Sequence, residues 1–130
     1  MSRIIYTAVF VDRLNLPAPS LARRIDVPHI TLAFRPEEKD VPWDIFGEIV
    51  KVDVTGYAND GRNEGLRVKM NSESERVMKE VSKVAVPHIT LSVADGCSAK
   101  DSANLDFKDI DEPYSFYGKI GGFTSAGVEF

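Results

Sequence analysis

The chain is predicted to fold as one α+β domain built as a two-fold duplication, and three observations carry that expectation. The six residues Val-Pro-His-Ile-Thr-Leu occur unaltered at 27–32 and again at 86–91, 59 positions apart. Two copies argue for duplication within a domain, whereas a solenoid needs three or more repeats. Most other segments carry the alternation and the β-branched and aromatic content of strands. The clearest helical run, near residue 75, has start chemistry followed by apolar residues at helical spacing. With 130 residues, the chain (1–130) suits a single domain with its own core and is too short for two.

Arg3 to Val11 is rich in β-branched and aromatic residues and reads as a central strand. Asp12 to Pro19 holds two prolines and an asparagine and reads as a loop. Ser20 to Arg24 is expected to form a short helix with Ser20 as its N-cap. Val27 to Phe34 is the second strand, with Phe34 in phase with Ile30 and Leu32 and so assigned to the core. Arg35 to Asp40 is a polar connection, and Trp43 to Phe46 is either a helical turn or an edge segment. From Gly47 to Asn59, Ile49, Lys51, Asp53 and Thr55 oppose Val50, Val52 and Val54, a strand with one buried face. Asn59-Asp60-Gly61 is turn chemistry and Gly65 to Met70 returns, which makes a hairpin. Ser72-Glu73-Ser74-Glu75 matches a capping box and opens a helix on which Val77, Val81 and Val84 recur at helical spacing, the last of them at its end or past it. Val86 to Val93 is a strand, Ala94 to Asn104 a loop with a helical turn around Ser102, and Tyr114 to Phe123 and Gly127 to Phe130 are two more strands. Each half thus has a helix shortly before its repeated hexapeptide.

Hydrophobic residues make up 43% and charged residues 28%, a globular balance, and no apolar run has the length of a transmembrane helix. Met1-Ser2-Arg3 leads straight into a strand without the apolar stretch of a signal peptide, and Cys97 is the one cysteine, so a cytoplasmic monomer is the expectation. The net charge of −4 favours a small nucleotide or an RNA end over a long duplex, whose binding draws most of its affinity from a basic face.

Both histidines of the chain, His29 and His88, lie in the repeats, each two residues before a threonine, Thr31 or Thr90. On a strand, positions i and i+2 share a face, so each copy presents an imidazole beside a hydroxyl while Ile30 or Ile89 faces the core. Packing alone does not require histidine at matched places, because valine or tyrosine fills a strand face equally well. Zinc would need three or four ligands at fitting spacing, and two histidines without a matching carboxylate do not supply them, so no metal or other cofactor is expected. The four side chains equip the chain for acid–base chemistry on a phosphate ester, with the histidines moving protons and the threonines holding the non-bridging oxygens. Either histidine can take either role.

Tyr6 and Thr7, on the first strand, are candidates for touching substrate, with burial in the core as the alternative. Trp43, Tyr57, Tyr117 and Phe123 are candidates for stacking on a base, and Arg35, Arg62, Arg67 and Lys69 for neutralising phosphate. Each taken singly is more often packing or solvated surface.

At His29-Ile30-Thr31-Leu32 and His88-Ile89-Thr90-Leu91, at the opening Ile5-Tyr6-Thr7-Ala8-Val9-Phe10 strand, and at the hairpin Val54-Thr55-Gly56-Tyr57-Ala58-Asn59-Asp60, the chain resembles the two-histidine phosphoesterase superfamily. It is most similar to the small tRNA-ligase-like or "Swiss army knife" RNA-repair cyclic phosphodiesterases. The resemblance implies a bilobed fold: two antiparallel sheets related by a pseudo-two-fold axis, both motifs lining a central cleft, helices outside. It also implies a metal-independent phosphodiesterase with catalytic His29, Thr31, His88 and Thr90. The substrate would be a 2′,3′-cyclic phosphate, a 2′–5′ linkage or a cyclic oligonucleotide signal, the last suiting a phage or viral protein in a host cytoplasm. The alternative is a non-catalytic nucleotide-binding module of the same fold. An RNA ligase is not supported, because no nucleotidyl-transfer lysine motif is present.

Overall fold

The alternation at 49–59 governs the centre of the molecule, where Val50, Val52 and Val54 are all fully buried and the residues between them are not. A computed structural model describes residues 3–130, so the part of the N-terminal expectation that rests on Met1 and Ser2 lies outside the described residues. The elements are β1 (Tyr6–Phe10), β2 (Arg23–Arg24), β3 (His29–Phe34), β4 (Ile49–Asn59), β5 (Asn63–Asn71), α1 (Glu75–Val81), β6 (His88–Val93), β7 (Lys108–Thr124) and β8 (Gly127–Glu129). Trp43–Ile45 and Ala99–Asn104 are 3-10 turns. The architecture is α+β, a mostly antiparallel sheet with little helix.

The strands form a single hydrogen-bonded sheet in the order β2-β6-β5-β4-β7-β1-β3, with β8 added beside β7. Two separate sheets, the arrangement the resemblance implies, are therefore not what the hydrogen bonding draws. The link is the length of β7. Its first part pairs with β4 and its last part with β1 and β8; Lys119 is paired on both sides, with Ile49 and with Phe10. The hand-over needs a small residue, because a Cβ on Gly118 would stand 2.9 Å from the carbonyl oxygen of Phe10. The two motif strands each lie third from the β4–β7 junction, β6 on one side and β3 on the other. They also pack against each other, and Ile30 and Ile89, both fully buried, join one core with Val9, Leu66, Val68 and Ile120.

Helix α1 covers this core with Val77 and Val81 while Val84 lies beyond its end. Its N-cap is Ser74, whose hydroxyl accepts from the Val77 amide at 3.3 Å. The box expected at Ser72–Glu75 does not form: the N-cap lies two residues later, where Val77 offers no carboxylate to complete a box, and the Ser72 hydroxyl accepts from the Ser74 amide at 3.1 Å and turns the chain into the helix. The helix expected at Ser20–Arg24 does not form. The Ser20 amide donates to Glu64 Oε1 at 2.9 Å and the Leu21 amide to Ser92 Oγ at 3.1 Å, after which Arg23–Arg24 pairs with Ser92 and Val93 as β2. Buried polar acceptors on the neighbouring strands outcompete a helix too short to hold itself together.

Candidate active site

Each motif strand begins at its histidine, directly after a proline whose missing amide is tolerated at that position. The carbonyls on either side of that position are used identically in both copies. Pro28 O accepts from the Val11 amide at 3.2 Å and Pro87 O from the Val68 amide at 3.0 Å. Val27 O accepts from His29 Nδ1 at 2.8 Å and Val86 O from His88 Nδ1 at 2.9 Å. A carbonyl oxygen can only accept, so Nδ1 carries a proton in both rings and Nε2 is the nitrogen left for chemistry.

Both strands also carry a β-bulge at the same place. Across β1–β3, Thr31 faces Ala8 and Ala33 faces Thr7, which leaves Leu32 without a partner. Across β5–β6, Thr90 faces Gly65 and Ser92 faces Glu64, which leaves Leu91 without one. The extra residue reverses the side-chain phase of everything after it. Phe34, assigned to the core from its phase with Ile30, is for this reason 66% exposed.

His29, Thr31, His88 and Thr90 line one cavity of about 390 Å³, together with Tyr6, Phe34, Ile25 and Lys100. Among the described residues no aspartate or glutamate lines it. A larger hollow of about 680 Å³ lies elsewhere, over Lys51, Tyr117 and the segment before α1; it holds Glu48 and Glu73 and neither histidine. Its acidic lining disfavours a phosphate.

The surroundings of the two rings differ. His29 sits on an aromatic bed: the Tyr6 ring stacks on it at 4.6 Å between centroids and on Phe123 at 5.0 Å, and Phe10 lies 6.1 Å away. Burial there holds the His29 pKa below the ordinary imidazole value; the Val27 carbonyl opposes the shift and the charge of His88 adds to it. His88 instead has Phe107 at 6.3 Å and faces Arg67 across the strand pair.

Tyr6 reaches the cavity and Thr7 does not. Thr7 lies on the opposite face of β1 and is 2% exposed. Burial pushes the Tyr6 hydroxyl up to about 12, so it stays protonated, but at 3.5 Å from His29 Nδ1 it is too far for a strong bond, and its ring makes the contact. Of the stacking candidates, Phe123 backs Tyr6, Tyr117 lines the other hollow, Trp43 packs on Phe46, and Tyr57 donates to Glu64 at 2.5 Å. Of the cations, Arg67 is held by Asp109 and Thr55, Arg35 lies 5.4 Å over the Phe34 ring, and neither Arg62 nor Lys69 lines the cavity. The residues missed from sequence are Phe34, Ile25 and Lys100. For Phe34 the bulge was the missing knowledge. Lys100 lies in the loop expected at 94–104, but loop sequence does not reveal which side chain reaches inward.

Among the described residues, no helix is long and apolar enough to cross a membrane, and no group of three or more His, Cys, Asp or Glu side chains is placed to hold a metal ion. Comparison of the chain with family models, with curated proteins and with solved structures found no match.

Proposed function

We propose that the protein is a phosphodiesterase of the two-histidine type, acting on a small nucleotide or an RNA end. The observation that carries this reading is the convergence of His29 and His88 on one cavity, each with Nδ1 committed to a carbonyl two residues back. Two imidazoles so oriented offer one Nε2 to take a proton and one to give it. The equivalent positions of the motif strands about the β4–β7 junction, the shared bulge and the shared Nδ1 bonds support a duplicated origin with an approximate two-fold axis.

His29 is the base. Its lowered pKa keeps it neutral at physiological pH, and its Nε2 removes the proton of the attacking water or hydroxyl. His88 is then the acid and delivers its Nε2 proton to the leaving oxygen. Thr31 and Thr90, one from each half, hydrogen-bond the two non-bridging oxygens and stabilise the charge that grows on them. The absence of carboxylates from the cavity wall favours an anionic ligand, and the exposed Phe34 ring beside Tyr6 suits a nucleobase.

The test is incubation with nucleoside 2′,3′-cyclic phosphates, 2′–5′ oligoadenylate and cyclic dinucleotides, with and without a strong chelator, followed by chromatography. Turnover of one class that survives the chelator is the expected result. Recovery of every ligand unchanged, with binding retained, would replace the enzyme by a nucleotide-binding module.

A further inference from the structure

Among the described residues, Lys100 is the one lysine or arginine that lines the cavity. It is delivered there by a built support. Asn63, 2% exposed, donates from Nδ2 to Ser98 O at 2.9 Å and to Ser102 Oγ at 3.0 Å, which pins the turn on either side of Lys100. The Ser98 hydroxyl accepts from the Lys100 amide at 3.4 Å. None of the described ion pairs engages Lys100. In a chain of net charge −4, an ammonium group without a carboxylate partner over an acid-free cavity is positioned for an anion that comes from outside.

That anion is not the scissile group. A diester exposes two non-bridging oxygens, and Thr31 and Thr90 already address them from the cavity wall. Lys100 is exposed on a short turn. A mobile, hydrated point charge of this kind suits ground-state attraction better than the fixed donation that a transition state rewards. We propose that Lys100 binds a second phosphate, so that the preferred substrate is a nucleotide bearing another phosphate beside the diester that is cut. The proposal rests on the phosphodiesterase reading. The second phosphate has two possible sources, a 5′-phosphate on the same nucleoside or the next internucleotide linkage.

Three substrates separate them: adenosine 2′,3′-cyclic phosphate, its 5′-phosphorylated form, and a dinucleotide ending in a 2′,3′-cyclic phosphate. The wild-type chain should favour one or both of the last two by about tenfold in kcat/KM, expressed in KM, and added salt should erode the preference. K100M should bring the ratio between substrates to about one, and K100R should keep most of it. A wild-type chain that treats all three alike, a ratio unmoved in K100M, or a kcat lowered equally on all three would overturn the assignment. If none of the three is turned over, cleavage of a 2′,3′-cyclic phosphate is what fails; the phosphodiesterase reading falls with it only when 2′–5′ oligoadenylate and cyclic dinucleotides are also recovered unchanged. Dissociation constants of the same three ligands for wild type and K100M then decide the role of Lys100 by the same ratio.

Discussion

Replacing His29 by asparagine separates its chemistry from its place in the fold. The asparagine amide nitrogen can occupy the position of Nδ1 and keep the donation to Val27 O, which spans 2.8 Å in the native chain. What disappears is Nε2 and the stack on Tyr6 at 4.6 Å. Loss of the stack costs about 0.5–1.5 kcal/mol, or a fall in Tm of about 3–5 °C per kcal/mol for a domain of this size. Loss of the base costs about 10²–10⁴ in rate, which corresponds to about 2.7–5.4 kcal/mol of barrier. The two effects are read separately, Tm by circular dichroism and kcat/KM on whichever substrate the screen identifies. The pH profile adds a signature. The base works only while neutral, and His29 titrates below the ordinary imidazole value, so the wild-type acid limb should lie below about pH 6.5. In H29N that limb should vanish. A variant that folds and keeps more than a tenth of wild-type activity with the limb intact would refute the assignment of His29 as base.

Three further outcomes follow from the same geometry. T31V and T90V keep shape but lose a hydroxyl, and each should lower kcat by roughly 10²–10³, as removal of an oxyanion donor does; a change confined to KM would assign them to binding instead. F34A should weaken nucleotide binding by about 1–3 kcal/mol, the usual worth of one stacked base, while Tm holds, because the ring is 66% exposed; calorimetric titration and a melt read the two effects. Glu64, 1% exposed, is pushed up by burial, but donation from Tyr57, the Ser20 amide and Ser92 outweighs this and holds its pKa below the ordinary carboxylate value. A carboxylate depressed on folding stabilises the fold above its unfolded pKa of about 4.3 and stops doing so as pH falls through its folded value. E64Q should therefore cost about 1–3 kcal/mol at neutral pH and flatten the loss of stability below pH 4, as measured by urea unfolding at several pH values.

The sequence made visible those features that depend on period and on identity. The valines of β4 gave both their strand and its buried face, and the duplicated hexapeptide picked out the four residues that meet in the cavity. Features that depend on a distant partner were hidden. The segment at 20–24 has helix-start chemistry, yet it lies extended because Glu64 and Ser92, more than 40 residues away, take its amides. Phe34 shares its period with Ile30 in the sequence, and an unpaired Leu32 breaks that period in space. The single sheet was out of reach for a similar reason: it depends on how far β7 extends, and a 17-residue strand interrupted by glycines reads as shorter pieces.

The identity of the two hexapeptides poses a further question for the proposed reaction, since acid–base catalysis needs two groups that differ. Residues 27–32 and 86–91 share sequence, bulge and Nδ1 partner, so the difference has to come from the strands beside them. Opposite His29 stands Phe10, part of an aromatic cluster with Tyr6 and Phe123; opposite His88 stands Arg67, tied to Asp109. The aromatic side expels water and favours the neutral imidazole, because a charge loses its hydration there. The other side sets an Arg67–Asp109 ion pair beside His88 in place of an aromatic cluster. On the proposed mechanism, two identical hexapeptides are thus driven into two roles by their neighbours alone. Exchanging those neighbours, and not the histidines, is the change that should reverse the direction of proton flow.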